Sequence, residues 1–343
     1  MPAGGTSLLP RARVSGMILV TGGAGFIGSN IAAALSERGD AVAICDLLGQ
    51  DDKWRNIAKA DLCDVIAPEQ LEGWLEQHSK ALDAIVHMGA ISSTSATDAD
   101  LLMRTNFQLP WFLWRWCGRH FKRFIYASSA ATYGAGEHGY DDDGSPEALA
   151  TLRPLNLYGW TKHLFDRRVA RALTEKPLYP TQWAGLKFFN VYGPNEYHKG
   201  TMQSVVARNY RAIANGGEVA LFKSYRDDVA DGEQRRDFIF VDDCVRVILW
   251  MLDNPAVNGL FNIGTGQATS FAELMHALFA ACGRPPRIRF CEMPDELRNH
   301  YQYFTEARID RLRAAGFTQP FTSVEQGVRR YVEHFLARPD IYR

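Results

Sequence analysis

A chain of 343 residues with 38 Lys and Arg against 39 Asp and Glu can bury a sizeable core without staples. It is too evenly charged to suggest a nucleic-acid or polybasic membrane partner, although a local basic patch for a phosphorylated ligand stays compatible with that balance. The length suits one large domain or two intimate ones. Six cysteines, Cys45, Cys63, Cys117, Cys244, Cys282 and Cys291, form no Cys-x-x-Cys pair. They read as reduced, mostly buried thiols of a cytoplasmic protein, not as a disulfide framework or zinc site. No uninterrupted apolar run approaches the length of a membrane span. Residues 1–16 lack a long apolar stretch and read as a disordered extension rather than a secretory signal, with Met17 as the functional beginning.

From there, Met17-Ile-Leu-Val-Thr21 is an apolar strand running into glycines. Phe26 to Arg38 has helical periodicity and stops at Gly39, and Ala41 to Cys45 is a second buried strand closed by Asp46. Together they make a β-α-β unit. Ala84 to His87, Arg123 to Ser128 and Gly185 to Asn190 are further candidate strands. Long helices are expected over Asp100 to His120 and Trp160 to Thr174. This alternation predicts an α/β fold with a Rossmann-type doubly wound parallel sheet. After Val191 the segments become irregular and charged. The dinucleotide-binding domain is therefore expected over 17–190 with return segments near 238–262. A smaller C-terminal α/β substrate lobe is expected over 191–237 and 263–335.

Thr21-Gly-Gly-Ala-Gly-Phe-Ile-Gly28 follows a strand and opens a helix at the start of that unit. Gly22 permits the tight turn, Gly25 lets the backbone approach a pyrophosphate, and Gly28 allows close helix–sheet packing. The helix N-terminus then faces the phosphates with its partial positive charge. Asp46 stands where a ribose-binding carboxylate is expected. Alone it favours NAD, because a carboxylate repels a 2′-phosphate. Lys53 lies close enough in sequence to neutralise such a phosphate, so NADP, with NAD possible, is the expected cofactor.

Tyr158 and Lys162 form Tyr-x-x-x-Lys, and at i and i+4 on a helix both side chains share a face. An ammonium near a phenol favours phenolate and makes Tyr158 a candidate acid/base. Upstream, Ser128-Ser-Ala-Ala-Thr-Tyr-Gly134 ends a strand, and Ser129 or Thr132 can hydrogen-bond the reacting oxygen. The acidic run Asp141 to Asp143 reads as a solvated loop. His87 reads as a structural donor, and Trp111, Trp114 and Trp116 as helix packing.

Glycine loop, serine motif and Tyr-x-x-x-Lys in this order resemble the extended short-chain dehydrogenase/reductases. Leu155-Asn-Leu-Tyr-Gly-Trp-Thr-Lys162 and Phe188-Phe-Asn-Val-Tyr-Gly-Pro-Asn-Glu-Tyr-His-Lys-Gly200 narrow the resemblance to the ADP-L-glycero-D-manno-heptose 6-epimerases. So do His87-Met-Gly-Ala-Ile-Ser-Ser-Thr94, Arg236-Asp-Phe238, Tyr301-Gln-Tyr-Phe-Thr305 and Leu312-Arg-Ala-Ala-Gly-Phe317. The similarity runs from Met17 to about Leu336, and its most specific part is His198-Lys199-Gly200.

The resemblance implies that Tyr158 and Lys199 are the two acid/base groups, Lys162 supports Tyr158 and the nicotinamide ribose, and Ser129 holds the reacting hydroxyl. Phe26, Ile27, Asp46, Lys53, Ser92, Asn106 and Val191 would lie along the cofactor. Asn190, Thr201, Arg208, Phe222, Arg236 and Tyr301 would face the nucleotide-sugar. A guanidinium at 236 suits a diphosphate because it can bind in a bidentate way. The implied reaction inverts C6 of an ADP-heptose for lipopolysaccharide core supply, in a homo-oligomer that is typically a pentamer. Leu47, Arg208 and the long Ser224 to Gln234 stretch depart from the pattern. A dehydratase would carry Asp-Glu where Ala131-Thr132 stands. A non-catalytic dinucleotide-binding regulator would usually have lost Tyr-x-x-x-Lys.

Overall fold

Strand β1 (Met17–Thr21) sends Ile18 and Val20 to one face and Leu19 to the other, and all three are fully buried. That two-sided burial is why the segment is apolar without alternation. The computed structural model describes residues 16–175, 178–298 and 301–343; apart from Gly16, the segment read as a disordered extension lies outside the described residues.

Helix α1 (Phe26–Arg38) ends at Gly39, whose φ of 81° closes it in the left-handed region. Strands β2 (Val42–Cys45) and β3 (Asp64–Ile66) follow, then α2 (Leu71–His78) and β4 (Leu82–His87). The helix expected over Asp100 to His120 is α3 (Ala99–Met103) and α4 (Leu109–Arg119) joined by a π turn, Arg104–Gln108. Pro110 explains the wide turn, because it has no N–H to give the carbonyl four residues back. Strand β5 (Arg123–Ser129), α5 (Pro146–Thr151) and α6 (Leu157–Thr174) come next. Helix α6 starts three residues earlier than the periodicity suggests. Asn156 caps it, accepting from Gly159 N at 2.8 Å, and this places Tyr158 in its first turn.

Strands β6 (Trp183–Phe188) and β7 (Asn190–Tyr192) lead to α7 (Val205–Ala214), β8 (Val219–Phe222), β9 (Arg235–Arg236) and β10 (Phe238–Phe240). Then come α8 (Val241–Asp253), β11 (Gly259–Ile263), β12 (Thr269–Ser270) and α9 (Phe271–Ala281). The described elements end with β13 (Ile288–Cys291), α10 (Asp295–Arg298), α11 (Asp310–Ala314) and α12 (Val324–Tyr331).

Seven parallel strands form the central sheet in the order β11-β6-β5-β4-β1-β2-β3. One core cluster joins its face to α1, α8 and α11, and a second joins the other face to α2, α4 and α6. The sheet is thus doubly wound, and the strand order reverses between β1 and β4, where ligands bind in such folds. Of the two return segments, β11 rejoins the sheet beside β6, whereas β10 pairs in parallel with β7 in a separate ladder. A third core cluster, built from α7, β8, α9, α12 and β10, forms the smaller lobe. Among the described residues no helix is long and apolar enough to cross a membrane.

Two expectations need correction or detail. Asp141 and Asp143 are exposed, but Asp142 is buried and accepts from Asn262 N at 2.7 Å, so the acidic run is not simply a solvated loop. Burial pushes the Asp142 carboxyl up to about 6. Trp114 and Trp116 are fully buried, whereas the half-buried ring of Trp111 stacks under the Arg168 guanidinium at 4.2 Å.

Candidate active site

At the C-terminal ends of β1, β4 and β5 opens a cavity of about 720 Å³. Its floor is the glycine loop, closed by contacts only glycine allows. A Cβ on Gly28 would sit 2.1 Å from the Gly22 carbonyl oxygen, and one on Gly22 would meet Gly89 N at 2.5 Å. Gly22 also has φ of +66°. No side chain caps the N-terminus of α1, and its first turn holds no acidic residue. Its N–H groups and dipole are therefore left for an anionic group, which fits a dinucleotide pyrophosphate.

Asp46 stands on the cavity wall beside the glycine loop. One carboxylate oxygen accepts from Ala24 N at 2.9 Å, and the other accepts from Leu47 N and Lys53 Nζ, each at 2.7 Å. Lys53 also donates to the Leu47 carbonyl at 2.7 Å. Gly22, Gly25, Phe26, Ile27, Gly28, Asp46, Lys53, Ser92 and Val191 all line the cavity. Asn106 does not. It is buried in the π turn, where its side chain holds both N (2.9 Å) and O (3.0 Å) of Ile91 and donates to Thr161 Oγ1 at 3.2 Å. It therefore pins the loop bearing Ser92 to the helix bearing Tyr158.

Ser129, Tyr158 and Lys162 line the opposite wall. Ser129 sits at the end of β5 and caps the turn after it, accepting from Ala131 N at 3.1 Å. Of the two hydroxyls left open by the sequence, Thr132 is committed elsewhere. It donates to the Ser129 carbonyl at 2.8 Å and accepts from Lys187 Nζ at 2.6 Å. Burial pushes the Tyr158 phenol up, while a hydrogen bond with Ser129 pulls it down and the Asp166 carboxylate adds to the rise. Lys162 Nζ donates a hydrogen bond to the Ala127 carbonyl at 2.8 Å, and burial brings its ammonium down to about 8 against the pull of Asp166.

The third wall comes from the turn Tyr197–Met202, where Lys199 and His198 line the cavity. Lys199 Nζ lies 5.2 Å from the ring centre of Phe26, and burial lowers its basicity while Glu196 opposes. Glu196 is fully buried, bonded to Ser204 Oγ at 2.7 Å and to Tyr331 OH at 3.2 Å, and so staples this turn to α7 and α12. Asn190 also faces the cavity.

Thr201 and Arg208 are exposed and lie outside the cavity lining, with the Arg208 guanidinium 3.4 Å from the Thr201 carbonyl. Phe222, Arg236 and Tyr301 form a second cluster. Arg236 lies 5.3 Å from the Tyr301 ring and 5.7 Å from that of Phe271, and Phe222 meets Tyr301 edge-on at 6.3 Å. Phe271 itself lines the cavity, so this cluster stands one ring behind it. Arg236 has no carboxylate partner among the described residues and bonds instead to the Arg235 carbonyl at 2.9 Å. A buried guanidinium flanked by aromatic faces and without a counter-ion suits a diphosphate.

Sequence reasoning passed over the buried pair Asp166–Lys187 at 3.3 Å, both fully sequestered. Asp166 accepts from Ser128 Oγ at 2.7 Å and Tyr126 OH at 3.1 Å, which ties α6 to β5 beneath Ser129. A signal existed: Asp166 falls four residues after Lys162 and eight after Tyr158, on the same helix face.

The profile of the NAD dependent epimerase/dehydratase family matches residues 18–264. A Fusobacterium nucleatum protein named ADP-L-glycero-D-manno-heptose-6-epimerase is 47% identical over 335 residues, spanning 95% of this chain and 100% of its own. The crystal structure of the Helicobacter pylori protein of that name superposes with a TM-score of 0.77 at 27% identity, covering 93% of this chain and 96% of that one. UDP-glucose 4-epimerase of Thermus thermophilus, solved with NAD, gives 0.71 at 25% identity over 93% and 98% of the two chains. Glycine cradle, Tyr-x-x-x-Lys helix and whole-chain likeness agree: the chain belongs to the NAD-dependent epimerase/dehydratase family, among the relatives named ADP-L-glycero-D-manno-heptose-6-epimerase.

Proposed function

We infer that the protein is an ADP-L-glycero-D-manno-heptose 6-epimerase that inverts C6 of its nucleotide-sugar with bound NADP, NAD being usable. The observation that carries this is the meeting of Tyr158 and Lys199, from two separate elements, on the walls of one cavity floored by the glycine loop. The near-complete likeness to relatives of that name supports the choice of substrate.

The bound nicotinamide supplies reversible oxidation of the carbinol carbon, with no net redox change. Tyr158 takes the hydroxyl proton in one pose, and Ser129 holds that oxygen by hydrogen bond. Once the ketone has turned and is reduced from the opposite face, Lys199 would give one of its own protons to the oxygen, and exchange with water would release the proton held by Tyr158 and recharge Lys199. Lys162 orients the Tyr158 side of the site and holds the nicotinamide ribose. Arg236 and Tyr301, with Phe222 behind, take the diphosphate and nucleotide end, and Asn190 faces the sugar. Thr201 on the exposed turn and Arg208 on α7 stand outside the cavity lining and would reach the substrate only at the cavity rim.

The cytoplasm is the expected location, a homo-oligomer, pentameric in the family pattern, the expected assembly, and lipopolysaccharide core the expected destination of the product. A dehydratase reading is disfavoured by Thr132, whose hydroxyl is already engaged by Lys187 and by the Ser129 carbonyl. The test is turnover of the nucleotide-heptose followed by NMR of the product. Inversion at C6 alone is expected; a deoxy-keto product, or no conversion with dinucleotide bound, would overturn the reading.

A further inference from the structure

Lys199 sits on a short 3₁₀ turn, Tyr197–Met202, that is broken at Gly200 by φ of 53°, so few backbone bonds hold it. Glu196 ties it to α7 and α12, and a second buried side chain, Asn56, ties it to the glycine loop. Asn56 belongs to the short 3₁₀ segment Asp52–Ile57, which also carries Lys53. It is 2% exposed. Its Nδ2 donates to the Ala24 carbonyl of the glycine loop at 2.9 Å and meets His198 Nδ1 at 3.1 Å. Its backbone carbonyl accepts from Asn195 Nδ2 at 3.2 Å. One residue thus touches the phosphate-binding loop on one side and both the root and the tip of the Lys199 turn on the other.

Asn195 makes this contact stiff. It is fully buried and holds φ of 71°, a left-handed conformation uncommon outside glycine. Its amide is bonded on both ends, Nδ2 also reaching Ser29 Oγ in α1 at 3.0 Å and Oδ1 accepting from Arg343 N at 3.0 Å. A backbone in a sparsely populated region persists where its surroundings over-determine it. Asn56 is held differently. Its Oδ1 is buried and meets no hydrogen-bond donor among the described residues. Only its N–H groups fix the amide, so a shift of the Ala24 carbonyl is passed directly to His198.

We propose that Asn56 is a positioning residue that couples dinucleotide occupancy of the glycine loop to the placement of Lys199. The proposal rests on the reading of Lys199 as an acid/base group, but the coupling itself can be read without catalysis. Bound dinucleotide fixes the loop containing Ala24, Asn56 follows it, and the turn from Asn195 to Met202 is ordered before the sugar arrives. Such pre-organisation keeps the second proton-transfer group from wandering between the two half-reactions.

The experiment is hydrogen–deuterium exchange of the segment 195–204, with and without saturating NADP, in the wild type and Asn56→Ala. Dinucleotide affinity is measured separately so that both proteins are compared fully bound. In the wild type, binding should slow exchange in this segment by about tenfold, and in Asn56→Ala by less than about twofold. Equal protection in the two proteins overturns the proposal. Turnover supplies the second arm. Asn56→Ala should lower kcat by roughly ten- to hundredfold at little change in substrate KM. In a Lys199→Met background it should lower kcat no further, because both changes remove the same contribution. Losses that multiply would mean Asn56 acts through something else. If Lys199→Met turns over normally at saturating substrate, the acid/base reading of Lys199 falls while the exchange result still decides the coupling. Should Asn56→Ala fail to fold, Asn56→Ser, which retains a short donor, carries the same measurements.

Discussion

Lys53 and Asp46 form an ion pair at 2.7 Å on the wall of the cavity, and a ribose bound beside Asp46 as proposed would meet the charge of that pair. Neither partner is fully buried, with side-chain exposures of 20% and 12%, so both remain reachable. A 2′-phosphate would compete with Asp46 for the ammonium, whereas a plain ribose would leave the pair intact. Lys53→Ala removes the cation and bares the carboxylate together. It is expected to weaken NADP by about tenfold or more and NAD by less than about threefold, in line with the cost of opposing charges near the surface. Fluorescence titration with both dinucleotides checks this; equal weakening would show that Lys53 does not read the phosphate.

The two-base reading separates by kinetics. Tyr158→Phe and Lys199→Met should each lower kcat by about a hundredfold or more for both epimers, with dinucleotide retained, the size expected for a lost general acid/base. If Lys199 only binds a phosphate oxygen, its variant instead raises KM and turnover recovers at saturating substrate. Steady-state kinetics in both directions distinguish the outcomes.

Lys162 sets a pH expectation. Burial brings its ammonium down to about 8, so its charge is lost as pH climbs through that value. Turnover should fall on the alkaline side near there, and Lys162→Arg should push that limb upward, since a guanidinium stays charged. Stability moves the other way. Between about 8 and the ordinary lysine value of 10.5 the unfolded chain binds more protons at this site than the folded one. Its contribution to folding stability therefore rises with pH across that window. A kcat–pH profile that is flat to pH 10 would contradict the assignment.

Beneath the site, Lys187 and Asp166 are sequestered together at 3.3 Å. Lys187→Met leaves the carboxylate without its counter-charge and should cost about 3–5 kcal/mol. Asp166→Asn combined with Lys187→Met should recover most of that, because no buried charge is then left unpaired. Urea denaturation of the three proteins measures it; a single variant as stable as wild type would remove the pair from the list of supports.

Much of this molecule can be read directly from its residues, for local reasons. Met17 to Thr21, the glycine loop and the helix from Phe26 to Arg38 appear where the pattern puts them, because strand burial, glycine stereochemistry and a left-handed cap at Gly39 are decided within a few residues. Tyr158 and Lys162 share a helix face for the same reason. What the tertiary structure alone decided is which groups those residues meet. The Lys162 ammonium donates to the Ala127 carbonyl, and Thr132 is claimed by Lys187 from a strand 55 residues away in the chain. Asn56 joins Ala24, 32 residues before it, to His198, 142 residues after it. Asp142 becomes a buried acceptor for Asn262 inside an otherwise exposed acidic run. Pairings of this kind depend on desolvation and on partners distant in sequence. Residue type and spacing specify the hydrogen-bonding capacity of each side chain, but only packing determines where that capacity is spent.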